Sequence, residues 1–234
     1  MKTKGAILTG LVVFFMTGHP KLHGAGVEDR FAAGVRATDP LSPTVQQSMF
    51  ELAPGFEIEL VASEPEIAKP MNMAFDARGR LWVTDTLEYP YPVDLNKKGR
   101  DSIKVLTDTN GDGLYDQVTT FADGLNIPIG LYPYGNGVLA WSIPNIWWFE
   151  DTDGDGQADL KEKRYGPLGW ERDTHGMNAS FTRGLDGWLY ATHGFNNNST
   201  LRGRDGSELF MNSGHTYRIR LDGSRVEPHT FGQV

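Results

Sequence analysis

Gly137-Val-Leu-Ala-Trp141, Ile146-Trp-Trp-Phe149, Asp151-Thr-Asp-Gly-Asp-Gly-Gln-Ala-Asp159 and Leu160-Lys-Glu-Lys-Arg-Tyr165 follow one another closely in the middle of the chain. They read as three short strands, with a long acidic loop between the last two. The unit recurs on both sides. Upstream, Gly79-Arg-Leu-Trp-Val83, Ser102-Ile-Lys-Val-Leu-Thr107, the loop Asp108-Thr-Asn-Gly-Asp-Gly-Leu-Tyr-Asp116 and Gln117-Val-Thr-Thr-Phe121 keep the same order. Downstream come Gly187-Trp-Leu-Tyr-Ala191, Thr216-Tyr-Arg-Ile-Arg-Leu221, the dipeptide Asp222-Gly223 and Arg225-Val-Glu-Pro-His-Thr-Phe231. The three Gly-headed strands start 58 and 50 residues apart. Four short strands per unit of about 40–50 residues is the pattern of a β-propeller blade.

The predicted fold is therefore all-β. It is a β-propeller, incomplete here, with about three four-stranded blades of six or more. Phe56-Glu-Ile-Glu-Leu-Val-Ala62 alternates and predicts a further strand that completes a final blade. A closed propeller needs at least about four blades, so the sequence reads as the N-terminal fragment of a longer protein. Residues 51–234 are expected to be the partial propeller and 27–50 a linker with one short helix.

The first 26 residues read as a signal peptide. Lys2 and Lys4 precede the apolar run Gly5–Gly18, and small residues follow at Gly24-Ala-Gly26. An uncleaved membrane anchor is the alternative, although the run is short for a span. Either way the bulk of the chain is expected outside the cytoplasm, in the periplasm, at the cell surface or in the medium. With cleavage, no transmembrane span remains in the mature chain. The chain carries no Cys, hence no disulfide and no haem-attachment C-x-x-C-H. A net charge of -8 without a basic stripe argues against a nucleic-acid partner.

The two acidic loops place oxygen side chains at positions 1, 3, 5 and 9, with Gly at position 6. This is the spacing of a hard-cation loop, and Ca²⁺ is its usual guest. The expected ligands are Asp108, Asn110, Asp112 and Asp116 in the first loop, and Asp151, Asp153, Asp155 and Asp159 in the second. Glu162 at position 12 completes an EF-hand pattern in the second loop only; Thr119 stands there in the first. EF-hand loops join helices, whereas these join strands. The third blade makes the same turn with Asp222-Gly223 alone, so a long acidic loop is not needed to reverse the chain. A structural ion at the blade rim is the expectation; plain acidic turns are the alternative.

The richest polar stretch is Asp173-Thr-His175-Gly-Met-Asn178, followed later by His193. His175 is placed just before the first strand of the third blade. First strands line the central channel, so His175 is the candidate catalytic base for a hydroxyl proton. A structural hydrogen-bonding role is its alternative, and His193 is less well placed. No G-x-S-x-G elbow, phosphate loop or HExxH is present. Residues 194–214 read as a polar loop over one face.

The runs Leu52-Ala-Pro-Gly-Phe-Glu-Ile-Glu-Leu-Val-Ala-Ser-Glu-Pro65, Phe75-Asp-Ala-Arg-Gly-Arg-Leu-Trp-Val83, Tyr89-Pro-Tyr-Pro92, Phe121-Ala-Asp-Gly-Leu125 and Gly184-Leu-Asp-Gly-Trp-Leu-Tyr190, with the two Asp loops, resemble the membrane-bound dehydrogenases of planctomycetes and verrucomicrobia. The propeller of that family is similar to the soluble quinoprotein glucose/sorbosone dehydrogenases. The resemblance implies oxidation of a sugar or other alcohol, pyrroloquinoline quinone (PQQ) as cofactor, and electron transfer to a cytochrome c domain. It also implies that His175, ahead of Phe181 and Asp186-Gly-Trp-Leu-Tyr190, is the base beside the quinone. The intervening Met-Asn-Ala-Ser departs from the Gly pair of the sugar dehydrogenases. Cofactor-binding residues are not identified. Two other functions are compatible with the sequence: a non-catalytic, Ca²⁺-stabilised propeller that binds glycans or proteins, and a Ca²⁺-dependent lactonase-type hydrolase.

Overall fold

The computed structural model describes residues 39–232. The signal-peptide reading of residues 1–26 and most of the linker fall outside the described residues. The chain divides into two units between residues 46 and 47. The expected linker helix is α1 (Pro43–Gln47), which buries no residue. All strands belong to the second unit.

Three antiparallel four-stranded sheets follow one another, each a simple meander in space. Blade 1 is β1 (Lys69–Phe75), β2 (Leu81–Thr86), β3 (Asp101–Thr107) and β4 (Gln117–Leu125). Blade 2 is β5 (Ile129–Tyr134), β6 (Gly137–Ser142), β7 (Asn145–Glu150) and β8 (Leu160–Tyr165). Blade 3 begins with β9 (Asn178–Arg183) and β10 (Leu189–His193). A separate hairpin, β11 (Ser199–Arg202) and β12 (Glu208–Met211), interrupts it before β13 (His215–Ile219) and β14 (Val226–Phe231) complete the sheet. The first strands of successive blades lie side by side, β1 against β5 and β5 against β9. They therefore form the inner edge, with β4, β8 and β14 outermost, as in an incomplete β-propeller.

Strand alternation explains the packing. Side chains on a strand point alternately to the two faces of its sheet. In β6, Leu139 and Trp141 face blade 3 and join Ile146, Tyr165, Leu189, Tyr217 and Ile219. Val138 and Ala140 face blade 1 and join Trp82, Ile103, Val105 and Phe121. β6 is buried throughout because each face has a partner. Apolar burial contributes about 25 cal/mol per Å², and β6 gains it on both faces. Tyr165 adds a polar tie, its hydroxyl donating to the carbonyls of Arg220 and Arg225 in the turn of blade 3.

Two expectations are corrected. Phe56–Ala62 is not a strand. Phe56 is 72% exposed and Leu60 53%, and no ladder partner stands beside them among the described residues. Alternation specifies a pleated segment but supplies no partner for its backbone. Residues 194–214 are not all loop, since β11 and β12 pair from Ser199↔Met211 to Arg202↔Glu208. Leu201 and Met211 from this hairpin enter the core of blades 2 and 3.

Candidate functional site

Strand direction sorts the polar groups onto two ends. The β1–β2 and β3–β4 turns lie at one end of blade 1, and the β2–β3 loop and the exit of β4 at the other. The register fixes this, with Phe75↔Leu81 and Thr107↔Gln117 at the first end and Lys69↔Thr86 at the second. Both acidic loops occupy the first end, on the last hairpin of blades 1 and 2, as expected. His175 lies at the second end, three residues ahead of β9.

Buried polar side chains concentrate at the His175 end. Asp85, Glu88, Asp101, Asn126, Asn178 and His193 are buried there. Asp101 is the hub. It is 1% exposed and accepts from Thr86 Oγ1 at 2.8 Å, Leu87 N at 2.6 Å, Glu88 N at 3.0 Å and Ile127 N at 2.7 Å. One carboxylate thus joins the β2–β3 loop to the link between blades 1 and 2. Ile127 adopts φ 46, an unusual value for a β-branched residue that this bond helps to hold.

His175 is half of a carboxylate–imidazole pair. Asp173 Oδ1 accepts from His175 N at 2.7 Å and lies 3.1 Å from His175 Nδ1. Its other oxygen accepts from Asn196 Nδ2 at 3.2 Å. Burial alone would push the Asp173 carboxyl up, but these hydrogen bonds outweigh it and hold the group below the usual carboxylate range. Against an ionised Asp173 the favoured neutral tautomer carries its proton on Nδ1 and leaves the Nε2 lone pair free. The ring is 64% exposed on its side chain, so that lone pair is accessible. Tyr89 meets the imidazole edge-on at 5.3 Å, and Thr174 Oγ1 donates to Pro90 O at 2.8 Å. A loop of blade 1 and the link into blade 3 therefore meet around His175. Asn197 staples that link from behind, accepting from Arg172 N and donating to Asp173 O.

His193 is differently placed. It is buried, with Nδ1 3.0 Å from Ser213 O and Nε2 2.8 Å from Ser199 Oγ. Both nitrogens are satisfied inside the protein, which makes it structural. Burial pushes its pKa below the ordinary 6.5. The unfolded imidazole therefore takes up a proton that the folded one refuses. Stability is expected to fall as pH drops below about 6.5, by at most ~1.4 kcal/mol per pH unit, and to be flat above it. Urea unfolding at pH 5 and pH 7 checks this, and His193→Gln should reduce the difference.

The acidic loops are tightly self-organised. Asp108 accepts from Gly111 N and Gly113 N, and Asp151 does the same from Gly154 N and Gly156 N. The Asp108 carboxyl is held below its usual range by the Gly113 and Gly111 amides. Asp116 and Asp159 each accept from the amide and hydroxyl of a Thr, Thr109 and Thr152. Oxygen atoms of Asp151, Asp153 and Asp159 lie within 4.8 Å of one another and could hold one cation. Asp155 is not in that group, and neither is Glu162, which pairs with Arg164 at 2.7 Å. Asn110 Oδ1 accepts from Asp112 N, and Asp112 from Leu114 N.

A model for the domain of unknown function DUF7133 matches residues 42–233, which takes in all three blades. The chain belongs to the DUF7133 family. No curated protein matches this DUF7133 chain. Among solved structures it resembles a gluconolactonase from Xanthomonas campestris, with a TM-score of 0.43 and 19% identity. That match covers 70% of the DUF7133 chain, which spans 58% of the gluconolactonase's length.

Sequence reasoning missed Asp101 and the roles of Asp173 and Asn197. For Asp173 a signal existed: an Asp two residues before a His readily accepts from its amide. For Asp101 none did, because its partners are spread over residues 86–127.

Proposed function

We propose that this chain carries the propeller of an exported quinoprotein-like dehydrogenase, which oxidises a sugar or other alcohol and passes the electrons to a cytochrome c domain. The observation that carries this reading is the His175–Asp173 pair. Alcohol oxidation needs a base at the hydroxyl and an acceptor for hydride. In this reading the exposed His175 takes the hydroxyl proton on Nε2, and ionised Asp173 stabilises the resulting imidazolium. The resemblance to the planctomycete and verrucomicrobial dehydrogenases supports the same reaction class.

The described residues do not by themselves fit PQQ. A tricarboxylate quinone calls for free cations near the base. Lys69 donates to the carbonyls of Leu87 and Tyr89 and Arg100 holds Glu88, so the exposed Arg172, three residues before His175, is left to meet three carboxylates. The rest of a quinone cradle would come from outside the described residues. The test is dye-linked oxidation of a sugar panel by the full chain with added PQQ and Ca²⁺. Turnover supports the reading; no turnover and an unchanged quinone spectrum would sink it.

The missing cradle favours a second reading, a non-catalytic propeller that binds glycans or proteins. It predicts ligand binding that survives His175→Ala. A lactonase-type hydrolase would need metal-binding carboxylates at the channel. Among the described residues the grouped carboxylates are those of the 151–159 loop, at the opposite end.

The acidic loops are proposed to bind structural Ca²⁺ through Asp108, Asn110, Asp112 and Asp116, and through Asp151, Asp153, Asp155 and Asp159. A site filled to a hundred times its Kd contributes ~2.7 kcal/mol. Chelation is therefore expected to lower the melting temperature by roughly 5 °C or more. Calorimetry with and without EDTA checks it, and an unchanged Tm would mean that the loops are only turns.

A further inference from the structure

A cleft of about 380 Å³ opens between blades 2 and 3 at the acidic-loop end, away from His175. Its walls carry Arg164, Arg183 and Arg220, the aromatic rings of Tyr134 and Trp148, and Asp222. Three guanidinium groups and the Asp222 carboxylate line it, and two further carboxylates touch the lining, Glu162 on Arg164 and Glu150 on Trp148. Asp222 is already engaged, accepting from Ser224 N at 2.9 Å.

The arginines are not consumed by one another's partners. The Arg183 side chain has no hydrogen bond or ion pair among the described residues. A methyl carbon placed on Gly187 would lie 3.5 Å from Arg220 Nη1 and 3.6 Å from Arg183 Nη2, so the two guanidinium groups flank that point of the turn. Arg220 is fixed there, stacked over Trp188 at 3.8 Å with Nη1 donating to Gly187 O. Arg164 pairs with Glu162 through Nη1, but its buried Nε has no partner. The unused donors of Arg183 and the Arg164 Nε can give charge-assisted hydrogen bonds to a bound anion. Planar guanidinium forks match the oxygens of a carboxylate or a sulfate. Beside them, Tyr134 and Trp148 stand 6.4 Å apart, an aromatic wall against which the C–H face of a sugar ring can lie.

We propose that this cleft binds a small anionic saccharide, its carboxylate or sulfate ester between Arg183 and Arg220 and its ring against Tyr134 and Trp148. The volume suits a ligand of one or two sugar rings. The proposal is independent of His175 and holds whether or not the chain is an enzyme.

The test is a calorimetric titration of the full chain with glucuronate, glucose 6-sulfate and neutral glucose. At least one of the two anions should bind saturably, at least tenfold tighter than glucose, and more weakly as salt is raised. A preference between the two anions identifies the acid group. Arg183→Gln removes an exposed, unpaired side chain, so its Tm should match the parent while anion binding weakens tenfold or more. Arg183→Lys, which keeps the charge but not the fork, should fall between. The proposal is overturned if neither anion binds, if glucose binds as well as they do, or if Arg183→Gln binds them unchanged.

Discussion

Replacing Asp101 with Ala is expected to destabilise the propeller by ~4 kcal/mol, more than any other single polar change at the His175 end. The carboxylate is buried and receives four hydrogen bonds from two separate segments. Hydrogen bonds to a charged group contribute about 1.5–3 kcal/mol each, and they are not additive. Truncation leaves the amides of Leu87, Glu88 and Ile127 without their acceptor, the last two at buried positions. Asn is no remedy. Its amide nitrogen would face donors on one side, Thr86 Oγ1 and Ile127 N, and the Ile127 amide cannot turn away. Asp101→Asn should therefore recover less than half of the loss. Urea unfolding of the two variants measures both. If Asp101→Ala costs under ~1 kcal/mol, the carboxylate is not the joint between blades 1 and 2.

The consequence reaches the site. Asp101 fixes the start of the β2–β3 loop, and that loop supplies Tyr89 and Pro90 to the surroundings of His175. Loosening Asp101 should also loosen the base. Fold stability and site geometry share this residue. At the other end the acidic loops satisfy their oxygens locally, within spans of two to seven residues.

The blades were legible in the sequence because both local signals agree there. β8 spans Leu160–Tyr165 as the pattern predicts, and β7 adds one residue at each end of Ile146–Phe149. Alternation sets the faces, and acidic or Asp-Gly turns set the reversals. Phe56–Ala62 shows the limit of that logic, since its pattern is as good but no strand pairs with it among the described residues, and Ile58 O accepts from the Gln47 side chain instead. The β11–β12 hairpin shows the opposite failure. Its strands have four residues each and carry Ser, Thr, Arg and Glu, so composition hides them. Asp205-Gly206 between Leu201 and Leu209 was the turn signal that could have revealed them. At the site, the position of His175 before β9 followed from the repeat. Its orientation did not, because Asp173 is held by Asn196 from a loop twenty-three residues away.

His175 carries the functional account, and its replacement is the second large effect. His175→Gln keeps a polar side chain of similar length but removes the basic Nε2. General-base groups contribute typically 10²–10⁴-fold to rate. The variant should lose at least 10²-fold in kcat while KM changes little, since the base acts on the transition state rather than on substrate binding. The fold should be untouched, because the ring is largely exposed and its carboxylate partner keeps the Asn196 bond. The decisive measurement is dye-linked alcohol oxidation by the full-length protein and by His175→Gln, side by side, with PQQ and Ca²⁺ supplied. The account predicts turnover in the first and a loss of 10²-fold or more in the second. Equal turnover in both would contradict it.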